Sequence, residues 1–281
     1  MEPERGDRSV EVTRADVAEA ARAVGIVPGD TLFFHSALSS MGTVVGGPDA
    51  VIDGFLDAVD PEGTVAVPTL CNWAPDEQHL VFERWDPATT PSYVGKITET
   101  LRLRPGALRS DHATHSVAAI GARAAELTRD HGAGGLRPGP FSATAFARES
   151  PWERLVQWNA AYCFIGVNFT VCTLVHYVEA VLAERAVQRA APERRDAILT
   201  AMAGWMKPGP YSGMRIPDRV IIQELLADEG VVRTGRIGSA TFRCGRAGPM
   251  AQRWVAIIEA EPERWLSDEW LALIAGTGGD A

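Results

Sequence analysis

The polar residues best suited to chemistry fall in three clusters, each placed where an apolar run ends. The first, His35-Ser-Ala-Leu-Ser-Ser-Met-Gly-Thr-Val-Val-Gly-Gly47, follows a predicted strand and precedes a predicted helix. Its hydroxyls and backbone N–H groups could hold the phosphates or amides of a ligand, although it fits neither phosphate-loop template and reads as well as an ordinary Gly/Ser loop. The second, Arg109-Ser-Asp-His-Ala-Thr-His-Ser116, gathers two imidazoles, a guanidinium, a carboxylate and three hydroxyls. The planar fork of Arg109 suits a phosphate or carboxylate, whereas Ser, Thr and Asp taken singly more often cap or turn the chain. His112 and His115, three apart, could with Asp111 hold zinc or iron, but no third, distant ligand motif accompanies them. In the third, Thr173-Leu-Val-His-Tyr-Val-Glu179, Thr173 and His176 share one face near the start of a predicted helix. Histidine titrates near neutrality and is the usual general base; a purely structural imidazole is the other reading of this segment.

The elements that must position these clusters alternate. A helix is expected over 13–24 with Thr13 as N-cap, then a buried strand over 31–35, a helix over 48–58 and a second buried strand over 64–69. The polar stretch 70–86 is long for a plain connection, and such loops more often bind or cover something. A helix over 94–103, a short strand over 116–120 and a helix over 122–129 follow. After a Gly/Pro-rich passage, Ser150-Pro-Trp-Glu-Arg-Leu155 opens a helix with Pro at its first position, and a third buried strand over 161–167 leads into a strong helix over 173–189. Beyond residue 192 the pattern weakens: a Pro/Gly segment over 207–217 splits two helix candidates, and a last helix is expected over 261–274. The alternation predicts an α/β fold with a mixed, largely parallel sheet flanked by helices. We assign 1–281 to a single domain, with 1–12 frayed and 192–222 a variable segment.

Charge and composition narrow the function. The 281 residues are 46% hydrophobic, enough for a substantial core, and 36 Asp+Glu against 27 Lys+Arg give a formal net charge of -9. That balance disfavours nucleic acid, which is bound through basic surfaces, and would attract a cationic small molecule. Nothing resembles a secretory signal, and no run of about 18 apolar residues occurs, so a cytoplasmic protein without a membrane partner is expected. Cys71, Cys163, Cys172 and Cys244 are scattered without a CxxC pair, which suggests free thiols and neither a zinc ribbon nor a disulfide framework.

The three clusters, in this order, resemble the aminoglycoside 3-N-acetyltransferase family, whose members share a His-Ser-Ser-type loop, an Arg-Ser-x-His-Pro segment and a Thr-x-x-His-x-x-Glu segment. Trp85-Asp-Pro-Ala-Thr-Thr-Pro91, Ser150-Pro-Trp-Glu-Arg-Leu155 and Phe164-Ile-Gly-Val167 resemble further landmarks. The likeness runs from about residue 13 to 183 and resumes over 224–242. It implies an α/β fold distinct from the more widespread acetyltransferase superfamily, and ordered transfer from acetyl-CoA, the co-substrate, directly to an amine. It implies a catalytic His176 supported by Glu179 and Thr173. It places Ser36, Ser39, Ser40, Arg109, Ser110, His115 and Ser116 around coenzyme A, with no resident metal. The acceptor would meet Asp76, Trp73, Glu77 and His112, Asp76 being the anchor for its ammonium.

Two departures qualify the likeness. Ala113 stands where the family has proline, and between 184 and 218 the acidic stretch with which aminoglycoside-modifying members hold their substrates has no match; Trp205-Met-Lys-Pro-Gly-Pro-Tyr-Ser-Gly-Met214 stands there instead. The expected function is therefore N-acetylation of an aminoglycoside or related amino-sugar antibiotic, with acylation of another amine in a biosynthetic pathway as the alternative. A metal-dependent hydrolase built on His112, His115 and Asp111 is the competing enzyme reading, and a non-catalytic binding protein the third. A homodimer is left open as its assembly.

Overall fold

The computed structural model describes residues 3–71, 74, 76–204 and 219–275. It begins with β1 (Glu11–Val12), α1 (Arg14–Ala23), β2 (Thr31–Ser36), β3 (Thr43–Val44), α2 (Gly47–Val59) and β4 (Thr64–Pro68). Then come α3 (Val81–Arg84), α4 (Lys96–Leu103), β5 (Leu108–Arg109), β6 (Val117–Gly121), α5 (Ala124–Thr128), α6 (Pro151–Gln157) and β7 (Ala161–Ile165). The remainder is α7 (Leu174–Arg189), α8 (Pro192–Met202), α9 (Arg219–Asp228), β8 (Val232–Ile237), β9 (Ala240–Arg246), α10 (Ala247–Ala260), α11 (Pro262–Trp265) and α12 (Asp268–Ala275).

Seven strands form one sheet in the order β5-β6-β4-β2-β7-β9-β8. Its centre is parallel, β4 and β7 both pairing with β2, while the flanking pairings are antiparallel. The sheet is thus mixed and its parallel part is confined to three strands. Those strands are buried on both faces because alternate side chains feed two cores. Leu32, Phe34, Val65, Val67, Cys163 and Ile165 meet α1, α2 and α4 on one face. Phe33, Ala66, Tyr162 and Phe164 meet α6, α7 and α10 on the other.

The predicted N-cap of α1 is present as a capping box, Thr13 and Asp16 each bonding the other's backbone N–H. Residues 4–12, expected to fray, are tied down instead. Glu4 N–H donates to Gly166 O, the Glu4 carboxylate accepts from Thr241 N–H and meets Arg243, and β1 pairs with β3. The partners of Glu4 are 160 or more residues away in sequence, so a local reading has no access to them. The helix expected over 261–274 is split: α11 and α12 are separate, with Ser267 Oγ accepting from Trp270 N–H at the start of α12. The hairpin β8–β9 was not expected. β8 is an edge strand with only its ends buried, which weakens its hydrophobic alternation.

Candidate active site

The parallel strands β2, β4 and β7 all end at one edge of the sheet, the usual place for a site in such folds. Their continuations, His35 to Leu38, Pro68 with Leu70, and Val167 through Thr173, line a cavity of about 570 Å³, closed on its far side by Tyr93 to Thr98 at the start of α4. A second cavity of about 460 Å³, lined by Arg8, Ser39, Gly42 and Gly47, adjoins it, for Leu38 and Lys96 line both. Arg8 and Lys96 bring positive charge to the composite, and Lys96 is shared by both cavities. Lys96 is conspicuous in the sequence only by its rarity, since the chain's other lysine is Lys207.

Of the residues expected around a cofactor, Ser36 and Ser39 line these cavities. Ser40 does not: it is fully buried, donates to Ala37 O at 2.6 Å and abuts Gly166, whose φ of 63° and lack of a Cβ permit the approach. Arg109 is corrected too. Its guanidinium donates to Thr69 Oγ1, Ser116 Oγ and the carbonyls of Thr69, Pro87 and Thr90, and stacks 4.4 Å from the Trp85 ring. Burial draws its pKa down to about 10. It fastens the segment 69–93 to β5 and β6. Ser116 Oγ donates to Thr69 O, and Ser110 Oγ accepts from Val117 N–H and meets His131 Nδ1; both serines are fully buried fasteners rather than ligand contacts.

Thr173 lines the inner cavity at the N-terminus of α7, and His176 lies one turn further on. There His176 Nδ1 contacts Glu179 Oε2 at 2.7 Å, and Glu179 is 2% exposed. His115, expected at the cofactor, instead packs its ring beside that of His176, with centroids 5.7 Å apart, among Phe141 and Phe146. Burial first, then the neighbouring imidazoles, hold its pKa well below the ordinary 6.5.

The metal reading and the acceptor role of His112 both fail on donor geometry. His112 Nδ1 accepts from the backbone N–H of His115, so Nε2 carries the proton and donates to Ser142 Oγ. Asp111 accepts from Trp85 Nε1, and His131, missed in the sequence because it stands alone in a Gly/Pro-rich stretch, donates Nε2–H to Ala145 O. Burial lowers His112 well below 6.5 and His131 to about 4. Among the described residues no group of three His, Cys, Asp or Glu is arranged to hold an ion. On the loop 70–86, Asp76 is exposed, Glu77 pairs with Arg84 at 2.6 Å, and Trp73 lies outside the described residues, as does 205–214. No described helix is long and apolar enough to cross a membrane.

His35, expected from the sequence as the end of the strand over 31–35 and the start of the loop that follows, forms part of the inner cavity wall. It is 7% exposed, its Nε2 lies 2.9 Å from Tyr162 Oη, and burial lowers its pKa to about 3.

Known proteins identify the family and the fold. The sequence model of the aminoglycoside 3-N-acetyltransferase family matches residues 33–259. Aminoglycoside N(3)-acetyltransferase VII of Streptomyces paromomycinus is 30% identical over 88% of this chain and 92% of its own length. The type IX enzyme of Micromonospora chalcea is 29% identical over 90% and 95%. Among solved structures, aminoglycoside acetyltransferase AAC(3)-Xa superposes with a TM-score of 0.67 at 29% identity, covering 89% of this chain and 93% of that one.

Proposed function

The chain belongs to the aminoglycoside 3-N-acetyltransferase family, and from that membership we propose that it moves the acetyl group of acetyl-CoA onto an amino group of an aminoglycoside or related amino sugar. The observation that carries the reading is the His176–Glu179 pair. A buried carboxylate accepts from Nδ1–H at 2.7 Å, which fixes the proton on that nitrogen and makes Nε2 the unprotonated one. Nε2 is then the base that removes a proton from the attacking amine, and Glu179 stabilises the imidazolium that results. Thr173, the N-cap of α7, lines the inner cavity, and its carbonyl accepts from the His176 N–H.

Acetyl-CoA supplies an activated acyl group, so the chain's own residues have to bind, orient and deprotonate. The cavities fit such a ligand. Lys96 and Arg8 line the outer cavity, where the phosphates of the nucleotide portion need cations, and the inner cavity, between Ser36, Val167 and Thr173, takes the pantetheine arm. Holding donor and amine together removes much of the entropic part of the barrier. Asp76, exposed on the loop 70–86, anchors the acceptor's ammonium in this reading.

A different amine is the second reading, favoured by the unmatched acidic stretch between 184 and 218. The test is release of free thiol from acetyl-CoA with a panel of aminoglycosides and simpler amines, with and without chelator. Turnover with an aminoglycoside, untouched by chelator, is expected. Cofactor binding by calorimetry with no turnover on any aminoglycoside would move the assignment to the second reading.

A further inference from the structure

His35 has no part in the proton transfer assigned to His176, yet it is the most deeply placed titratable side chain on the cavity wall. It is held between Phe33, Phe164 and Tyr162, its ring stacked on Phe164 at 5.3 Å between centroids and 15° between planes. Its tautomer follows from Tyr162. The phenol oxygen accepts from the N–H of Leu174, the first residue of α7, at 3.2 Å and also meets His35 Nε2 at 2.9 Å. The remaining neighbour able to take the phenol proton is Cys172, whose sulfur is a weak acceptor. We assign the O–H to Nε2, the stronger of the two acceptors, which puts the imidazole hydrogen on Nδ1. No protein partner for Nδ1 is found among the described residues, while His35 is part of the wall of the inner cavity. A donor on the wall of a ligand cavity, without a protein acceptor, is available to an acceptor on the ligand.

We propose that His35, with Nε2 occupied by the Tyr162 hydroxyl, donates a hydrogen bond through Nδ1–H to a carbonyl oxygen on the acyl-pantetheine arm of the co-substrate. The proposal rests on the cofactor reading given above and adds to it a binding residue for a carbonyl. It also gives Tyr162 a positioning role, since the same hydroxyl ties His35 to the N-terminus of the helix that carries His176. A neutral donor suits this place, because a charged group there would have to be desolvated each time the cavity empties and fills.

The test is a long-range proton–nitrogen correlation spectrum of the full chain labelled at its histidines, titrated with acetyl-CoA in the absence of amine. His35 is expected to show a protonated Nδ1 and a bare Nε2, and its Nδ1–H resonance to move downfield as acetyl-CoA binds. A protonated Nε2, or backbone amide shifts at Ser36 and Lys96 without any change at His35, overturns the proposal while leaving the cofactor site in place. Absence of shifts throughout removes the cofactor site, and the proposal with it. Variants give a second readout. His35→Phe keeps the ring stack and is expected to weaken acetyl-CoA binding about 3- to 10-fold, the loss of one neutral hydrogen bond. His35→Asn, which sets an amide N–H where Nδ1–H stood, should recover more of that affinity than His35→Gln, which sets it at the Nε2 position. Equal affinities for the three variants and the wild type would refute the role.

Discussion

Replacing Glu179 by glutamine isolates the charge of the pair at constant shape. The carboxylate is 2% exposed and 2.7 Å from His176 Nδ1, so little solvent is available to substitute for it. A hydrogen bond between a neutral and a charged group is worth about 1.5–3 kcal/mol. At about 1.36 kcal/mol per factor of ten, its loss lowers the rate about 10- to 150-fold. The loss grows if the glutamine turns its NH2 toward Nδ1, because the imidazole then carries its proton on Nε2 and is no base; a wrong tautomer of this kind has cost about 10⁴ in a serine protease. The assay is steady-state thiol release from acetyl-CoA at saturating amine, beside calorimetry with coenzyme A and a urea unfolding curve. We expect kcat and kcat/KM for the amine to fall together by at least about tenfold, with coenzyme A affinity and the urea midpoint close to wild type. A kcat within about twofold of wild type would refute the argument, for it would mean that the imidazole needs neither the fixed tautomer nor the stabilised imidazolium.

Four further outcomes follow from the same geometry. His176→Ala should abolish transfer and leave coenzyme A binding nearly unchanged by calorimetry, since the base acts on the amine. Lys96→Gln should raise KM for acetyl-CoA by about threefold to tenfold and flatten its dependence on salt, as expected for one exposed phosphate contact. Arg109→Ala should cost about 2–4 kcal/mol in urea unfolding, because it strands carbonyls of Thr69, Pro87 and Thr90 that the guanidinium now satisfies; a selective loss of coenzyme A affinity without destabilisation would return it to the cofactor site. Acid should destabilise the protein before most carboxylates titrate. His35 and His131 have folded pKa values lowered to about 3 and about 4, against an ordinary 6.5. Above 6.5 both states are neutral; below it the unfolded chain takes up protons that the folded one refuses, so stability is lost as pH falls through 6.5 toward those values. Unfolding at pH 5.5 should therefore take up protons from buffer, and His131→Gln should reduce that uptake by about one proton.

Local sequence settles the central strands and helices and, through the family, the reaction class. Apolar runs at 31–35, 64–69 and 161–167 are strands because side chains buried on both faces leave no polar alternation, and each is legible for that reason. The spacing of His176 and Glu179 on one helix is likewise a local fact, so the pair is readable from the order of residues alone, and the ordered motifs point to the family. Folding in three dimensions decides which polar residues face a ligand. Arg109, Ser110, His112, His115 and Ser116 are chemically competent in sequence, yet four are buried and all five are turned inward: Arg109 and Ser116 donate to Thr69 O, His112 to Ser142 Oγ, and Ser110 Oγ meets His131 Nδ1, partners 21 to 47 positions away, while His115 packs its ring beside that of His176. His35, by contrast, looks like the last residue of a strand until Tyr162, 127 positions away, takes one of its nitrogens. Whether a donor is spent or available depends on partners that only folding brings within about 3 Å, and one-dimensional spacing carries no record of them.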